Sequence, residues 1–351
     1  MSMRILISGY YGFGNIGDEA ILAALVEQLR QLPGPPEIEV LSASPPDTAR
    51  AYSVGAVNRW RLQEVWRAVR RCDLLLQGGG GLIQDATSWA SPGYYLGLLE
   101  LARLAKRPYV IFAQGIGPLR SPFWRKLTVR AYAAARFVTV RDRASAEALS
   151  RWGFAGAVLA ADPALLLQPA ETEQTERWLA SCGLRLPPEY AVLVPRAVPE
   201  CEPALLEVGR SLAKLALPVV TLPFQPSDEA ISRETAAKLS VSIAVPPPPH
   251  PAIALSVIRG AAVVVSMRLH GLIFAATGCR PALGLAHDPK LASFCDEAGY
   301  PHLDPRAPDA VAKIAAASPA GPDKQAVAAL LARARISFER LEETFPPAAR
   351  A

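Results

Sequence analysis

Apolar residues fall in short unbroken runs along the first half of the chain, and a longer stretch of helical spacing follows most of them. The runs Arg4–Ser8, Ile38–Leu41, Leu74–Gln77, Tyr109–Ala113 and Phe137–Arg141 read as strands. They are continuous rather than alternating, the pattern of a parallel sheet covered on both faces. Helices are predicted over Asp18–Gln31, Leu62–Arg71, Tyr94–Ala105 and Pro122–Ala135. Strand and helix in turn imply a doubly wound α/β domain.

The character changes after Asp162-Pro163, where Leu165–Thr175 reads as a linker running into a helix. The alternation then restarts. Ala191–Pro195, Val219–Leu222, Ile243–Val245, Val263–Ser266 and Ala282–Leu285 read as strands. Pro203–Leu215, Asp228–Leu239, Ala252–Arg259, His270–Thr277 and Lys290–Glu297 read as helices. Pro246–Pro249 breaks the pattern as a loop, and a last long helix is predicted over Asp323–Thr344. The fold class is therefore α/β, with two Rossmann-like domains facing across a cleft in a GT-B-like arrangement and a C-terminal helix. The expected divisions are residues 1–168, 169–322 and 323–351. Carboxyl ends of parallel strands are where such domains bind ligands, so motifs at strand ends in both halves are expected to line the cleft.

Composition narrows this little. The chain has 351 residues, enough for two cores, and is 51% hydrophobic and 20% charged. The net charge of +5, carried mostly by Arg, suits an anionic small substrate or an anionic membrane surface. No aromatic-basic recognition motif points to nucleic acid. Five scattered cysteines without a CxxC pair point to a reducing compartment. No apolar run has transmembrane length and no signal-peptide pattern opens the chain, so a cytoplasmic location is expected.

Chemistry concentrates at the strand ends. Gly9-Tyr10-Tyr11-Gly12-Phe13-Gly14-Asn15-Ile16-Gly17-Asp18-Glu19 follows the first strand and opens the first helix. Gly12, Gly14 and Gly17 have the spacing of a dinucleotide fingerprint. Two features oppose that reading. The second strand ends in Ser42-Ala43-Ser44 without a ribose-binding acid, and Asp18 and Glu19 fill the anion position with negative charge. Either carboxylate is alternatively a helix cap. Gly78-Gly79-Gly80-Gly81, ahead of Asp85, permits close backbone approach to a ligand or makes a tight turn. Trp89, Tyr94 and Tyr95 beyond it suit stacking on a sugar. Gln114-Gly115-Ile116-Gly117-Pro118 reads as a structural turn. Arg141 ends a strand and either binds substrate or pairs with Asp142 or another acid. In the second half, Arg268 and His270 occupy a strand-to-helix turn, where Arg grips carboxylate or phosphate and His binds phosphate or moves a proton. Lys290, in His287-Asp288-Pro289-Lys290, holds a phosphate or is solvated. No metal-ligand cluster, GxSxG or Walker A motif is present.

Taken together the motifs resemble bacterial polysaccharide pyruvyl transferases, most closely the CsaB type. The matching segments are GYYGFGNIGDEAIL (Gly9–Leu22), GGGGLIQD (Gly78–Asp85), YYLG (Tyr94–Gly97), AQGIGP (Ala113–Pro118), TVRD (Thr139–Asp142), LPFQ (Leu222–Gln225), MRLHGLIFA (Met267–Ala275) and HDPK (His287–Lys290). They occur in family order across most of the chain. Gly271 stands where relatives often carry Ala, and Ser88–Pro92 and Pro246–Pro251 look less family-like, which leaves acceptor choice open.

The resemblance implies transfer of a pyruvyl group from phosphoenolpyruvate to a sugar as a cyclic ketal, with phosphate released and no cofactor. For the CsaB type it implies a β-linked N-acetylmannosamine acceptor on a lipid-linked secondary cell wall polymer precursor, serving surface-layer anchoring. The family's acidic pair falls on Asp18 and Glu19, and its phosphoenolpyruvate-binding residues on Arg141, Arg268, His270 and Lys290. Asp18, Glu19 and His270 are the expected catalytic groups; Arg141, Arg268, Lys290, Gly79, Gly80 and Asp85 the expected substrate contacts. A lipid-linked acceptor implies peripheral contact with the inner face of the cytoplasmic membrane, for which Arg59-Trp60-Arg61, Trp66, Arg67, Arg70, Arg71 and Phe123-Trp124-Arg125-Lys126 are candidates, ordinary helix packing being the alternative. Two rival functions are a GT-B glycosyltransferase using a nucleotide sugar and a non-catalytic sugar-binding module.

Overall fold

The computed structural model describes residues 2–32, 34–85, 89–214, 217–239 and 242–345. The chain forms two compact α/β units. One is built from the chain up to Phe13, from Asp18–Leu167 and from the chain beyond Leu330; the other from Gly14–Gly17 and Gln168–Ala329.

The first unit holds an eight-stranded parallel sheet. Its strands are β1 (Arg4–Ser8), β2 (Glu37–Ser42), β3 (Gly55–Asn58), β4 (Leu74–Gln77), β5 (Gly80–Ile83), β6 (Tyr109–Ile116), β7 (Val138–Val140) and β8 (Ala157–Leu159). The order is β3-β2-β1-β4-β6-β7-β8, with β5 paired to β6. The strand order reverses direction between β1 and β4, so the crevice for a ligand opens beyond Ser8 and Gln77. Ile5, Leu6, Ile7, Leu74, Leu75 and Leu76 are essentially inaccessible to solvent, which accounts for the unbroken apolar runs. Burial of each such side chain contributes roughly 1.5–3 kcal/mol. Helices α1 (Ile16–Arg30), α2 (Pro45–Tyr52), α3 (Leu62–Arg71), α4 (Ala90–Leu104), α5 (Pro122–Ala133) and α6 (Arg143–Arg151) connect the strands. Asp142 caps α6 by accepting from the Ser145 backbone N–H at 2.8 Å.

The second unit has a six-stranded parallel sheet in the order β11-β10-β9-β12-β13-β14. These strands are β9 (Ala191–Val194), β10 (Val219–Thr221), β11 (Ser242–Ala244), β12 (Val263–Ser266), β13 (Ala282–Leu285) and β14 (His302–Leu303). Here the order reverses between β9 and β12, so the crevice opens beyond Val194 and Ser266. The helices are α7 (Thr172–Ser181), α8 (Glu202–Lys214), α9 (Glu229–Ala237), α10 (Pro251–Gly260), α11 (Leu269–Thr277), α12 (Pro289–Ala298) and α13 (Ala310–Ala316). Local chemistry defines α12 well: Asp288 caps its start, Pro289 occupies the first turn, and Gly299 ends it at φ 74°. The last helix, α14, spans Lys324–Glu342.

Several differences from the sequence reading have physical causes. The strand expected to end at Ala113 continues to Ile116, because Ala113 adopts φ 46° and the register with β7 shifts there instead of breaking the strand. The second half of the glycine run, read as a close backbone approach or a tight turn, opens strand β5, which takes over the edge of β6 where β4 leaves off. The segment Gly14–Gly17 groups with the second unit: the Ile16 N–H donates to the Phe224 carbonyl at 2.7 Å, and Gly14 lies beside the Pro226 ring. The far part of α14 groups with the first unit, where Phe338 meets the buried Phe112 edge-on at 4.8 Å and Ser337 Oγ donates to Thr139 Oγ1 at 2.8 Å. Leu215, Ser88 and the chain tail after residue 345, all part of sequence-based expectations, lie outside the described residues.

Phe338→Ala removes that buried ring, and a loss of about 3–5 kcal/mol is expected for the first unit in urea unfolding. A loss below about 1 kcal/mol would show that the helix adds little to this core.

Candidate active site

In the first unit the candidate residues gather beyond β1, β4 and β6. Gly12 sits at φ 79°, and a Cβ there would stand 2.1 Å from Ser42 Oγ at the end of β2. The position therefore demands glycine both for its backbone and for space. Glu19 closes this loop from α1. Its buried carboxylate accepts from the Gly12 N–H and from Tyr52 Oη, each at 2.8 Å. Adjacent residues on a helix diverge by about 100°, so Asp18 faces elsewhere. A Cβ on Gly80 would stand 2.7 Å from Asp18 Oδ1, and Gly80 has φ 100°. The glycine run thus lets backbone approach this carboxylate. Tyr11 is buried beneath the loop, with its ring against Gly9 and its hydroxyl against Gly78. Burial first, then Asp18 and Glu19, raises the Tyr11 phenol well above its ordinary pKa, which keeps it protonated.

Gly79 lies against the Ala113 carbonyl and Ile21, a packing role for the close approach. Asp85 is directed to the start of α5, accepting from the Arg120 N–H with both oxygens and from the Ser121 N–H, each bond 2.9 Å. Burial, which raises its pKa, is outweighed by these bonds, and the carboxyl lies below its ordinary value. Arg141 is 8% exposed; its Nη1 donates to Asp162 Oδ2 at 2.8 Å and its Nε lies 3.5 Å from Asp142 Oδ2. The ion-pair reading of Arg141 is the one observed, with Asp162 as principal partner. Burial disfavours its charge, but Asp162, Asp142 and the Asp162 hydrogen bond outweigh this, with Asp18 adding to them. Gly115 gives the guanidinium its room, since a Cβ there would approach Arg141 Nε to 2.8 Å.

Two membrane expectations are corrected by burial. Arg59 is 5% exposed, donates to the Gly9 carbonyl at 2.7 Å and to Tyr95 Oη at 3.2 Å, and lies 4.4 Å from the Tyr94 ring centroid. Trp124 is buried in the first core and meets Trp89 at 5.0 Å. Neither is placed to meet headgroups. The stacking set also changes: Tyr95 is buried, whereas Tyr10 and Trp60 are exposed.

In the second unit Arg268 lies two residues beyond the end of β12 and immediately precedes α11. Its Nη2 donates to Asp228 Oδ1 at 2.5 Å, and Asp228 is wholly buried. A pair of this kind is fixed strongly, because losing one partner leaves a buried charge. His270 lies half-buried in the first turn of α11, with its ring against Gly17. A Cβ on Gly17 would stand 2.1 Å from His270 Nδ1, so only glycine fits. Lys290 lies half-buried in the first turn of α12, its N–H bonded to Asp288 Oδ1 at 2.9 Å. Sequence reasoning did not single out Arg196, whose Nη1 lies 2.9 Å from His287 Nε2. Burial and then Arg196 lower the His287 pKa, so this imidazole is neutral at pH 7 and accepts the guanidinium proton. Arg196, Arg268 and Lys290 thus all stand just beyond strand ends or in the first turn of a helix in this unit.

Among the described residues no group of three His, Cys, Asp or Glu side chains has a metal-binding arrangement, and no helix is long and apolar enough to cross a membrane.

The model of the polysaccharide pyruvyl transferase family matches residues 15–289, and the chain belongs to that family. No curated protein matches it. Solved structures with a similar fold include UDP-GlcNAc 2-epimerase of Methanocaldococcus jannaschii in complex with UDP-GlcNAc and UDP, at 11% identity and TM-score 0.60, covering 97% of this chain and 100% of that one. The UDP-GlcNAc-bound epimerase of Neisseria meningitidis has 10% identity and TM-score 0.62, covering 98% and 100%. HepE of Anabaena, in complex with UDP and glucose, has 11% identity and TM-score 0.57, covering 96% and 95%. At such identities the likeness is one of fold: two parallel-sheet α/β domains, GT-B-like.

Burial raises the Glu19 pKa, against hydrogen bonds from Tyr52 and Gly12 that favour the ionised form. A carboxyl raised on folding contributes stability that is complete below its unfolded pKa and is lost as pH rises through the folded value. Glu19→Gln removes this titration. Urea unfolding from about pH 4 to about pH 8 should therefore show the wild-type advantage over Glu19→Gln shrinking as pH rises. A constant difference would mean that Glu19 does not titrate with folding.

Proposed function

We propose that the protein transfers the enolpyruvyl carbons of phosphoenolpyruvate to two hydroxyls of a sugar, forming a cyclic ketal and releasing phosphate. The carrying observation is the turn from β12 into α11, which sets Arg268 on a buried Asp228 and His270 in the first helical turn. Such a turn presents a fixed guanidinium, an imidazole and helical N–H groups to one anion. Phosphoenolpyruvate carries a carboxylate and a phosphate, which suits this set together with Lys290.

Ketal formation needs a proton on the methylene carbon, attack of one hydroxyl on the resulting oxocarbenium-like centre, and displacement of phosphate by a second hydroxyl. In this reading Asp18 is the acid and base, and Glu19, accepting from Gly12 and Tyr52, holds the loop that carries it. His270 binds phosphate and protonates it on departure. Arg141 supports the site from within the first unit through its charge, with Nη1 donating to Asp162. The acceptor in this reading is a β-linked N-acetylmannosamine on a lipid-linked secondary cell wall polymer precursor. The product then serves surface-layer anchoring, and the enzyme works at the inner face of the cytoplasmic membrane. Exposed Arg67, Arg70 and Phe123 remain the candidates for headgroup contact.

Asp18→Asn and His270→Ala are each expected to lower phosphate release from phosphoenolpyruvate and acceptor by about 100-fold or more, with folding retained. Full activity in either variant removes that residue from the chemistry.

A further inference from the structure

Phe13, Trp60, Tyr94 and Tyr95 of the first unit gather around one buried cation. Tyr10 stacks on Phe13 with ring centroids 4.0 Å apart and planes 9° from parallel. Phe13 meets Trp60 edge-on at 6.4 Å, and Trp60 meets Tyr94 at 6.0 Å. The Arg59 guanidinium lies 5.1 Å from the Phe13 centroid, 5.2 Å from Trp60 and 4.4 Å from Tyr94. It is held there by the Gly9 carbonyl and Tyr95 hydroxyl. The cation therefore fixes the rings from beneath. Trp60 is nonetheless 64% exposed and Tyr10 40% exposed. Large rings locked in place yet open to water form a prepared surface, since their ordering is complete before anything binds.

We propose that Tyr10, Phe13, Trp60 and Tyr94 form a shelf that receives the C–H face of a sugar ring, holding the acceptor saccharide of the pyruvyl-transfer reading on which this inference rests. Three observations favour a sugar over a lipid surface. Arg59, the cation central to the cluster, is buried and committed, so it offers nothing to headgroup phosphates. The neighbouring Arg61 is paired with Glu64 at 2.9 Å. At the Tyr10 end the shelf also senses Asp18, which after burial raises the Tyr10 pKa while Arg59 lowers it. A carboxylate accepts sugar hydroxyls and repels anionic headgroups. The shelf also adjoins the loop that leads to Asp18, so a ring lying on it has its hydroxyls near the proposed acid and base.

The test uses soluble glycosides and no donor. Saturation-transfer NMR with methyl β-N-acetylmannosaminide and methyl β-glucoside should show transfer to the ring C–H protons of at least one glycoside in the wild-type protein. Trp60→Ala and Tyr10→Ala should each weaken that affinity about tenfold, equivalent to about 1.4 kcal/mol. Trp60→Phe, which keeps a ring, should retain most of it, and Trp60 is too exposed for its loss to unfold the unit. Unchanged affinity in both alanine variants overturns the proposal, as does absence of transfer in the wild type. Binding to phosphatidylglycerol vesicles that Trp60→Ala abolishes while glycoside affinity is unchanged also overturns it, in favour of a membrane surface. Failure of the pyruvyl-transfer reading looks different: wild-type protein would bind the glycoside yet release no phosphate from phosphoenolpyruvate. Failure of the shelf alone would leave phosphate release intact with an unchanged KM for the glycoside in Trp60→Ala.

Discussion

The loop from Gly9 to Glu19 is closed by one buried carboxylate, and much of the candidate chemistry follows from that closure. Glu19 satisfies the Gly12 N–H and binds the Tyr52 hydroxyl, so the glycine loop and the first turn of α1 are held as one piece. A buried carboxylate is costly unless hydrogen-bonded, and these two bonds offset that cost. With Glu19 so placed, Asp18 is turned toward Gly80 and comes under the influence of Arg141. The crowding at Gly12 and Gly17 shows why the motif is rich in glycine: a single added methyl would collide with Ser42 in one case and His270 in the other.

Both units place charged groups of both signs at the carboxyl ends of their parallel strands. The first has Asp18, Glu19, Arg59 and Arg141 with closely packed glycine backbone; the second has Arg196, Arg268 and Lys290 with Asp228. Each important cation rests on a fixed partner: Arg268 on Asp228, Arg141 on Asp162, Arg59 on the Gly9 carbonyl. Such pairing costs desolvation and returns orientation.

Much of the architecture was legible in the residues because buried parallel strands carry an unambiguous signal. Ile5-Leu6-Ile7 and Val263-Val264-Val265 have no polar face to confuse the period. The short strands Gly55–Asn58 and Ala157–Leu159 escaped because their burial is partial and their runs brief. Strand β5 escaped because its first residues are glycines, which carry no side-chain pattern. At the site, the motif residues were legible, while their partners were not. Asp228 lies 40 residues from Arg268, and Asp162 lies 21 from Arg141, separations that no local period encodes. Arg59 read as a surface charge next to Trp60, and only the packing of four rings reveals its burial.

The central claim is that the basic strand ends of the second unit hold phosphoenolpyruvate. Calorimetric titration of the intact protein with phosphoenolpyruvate, and separately with UDP-N-acetylglucosamine, tests it most directly. The account predicts saturable binding of phosphoenolpyruvate that Arg268→Ala weakens, and no binding of the nucleotide sugar. Binding of the nucleotide sugar without binding of phosphoenolpyruvate would contradict it.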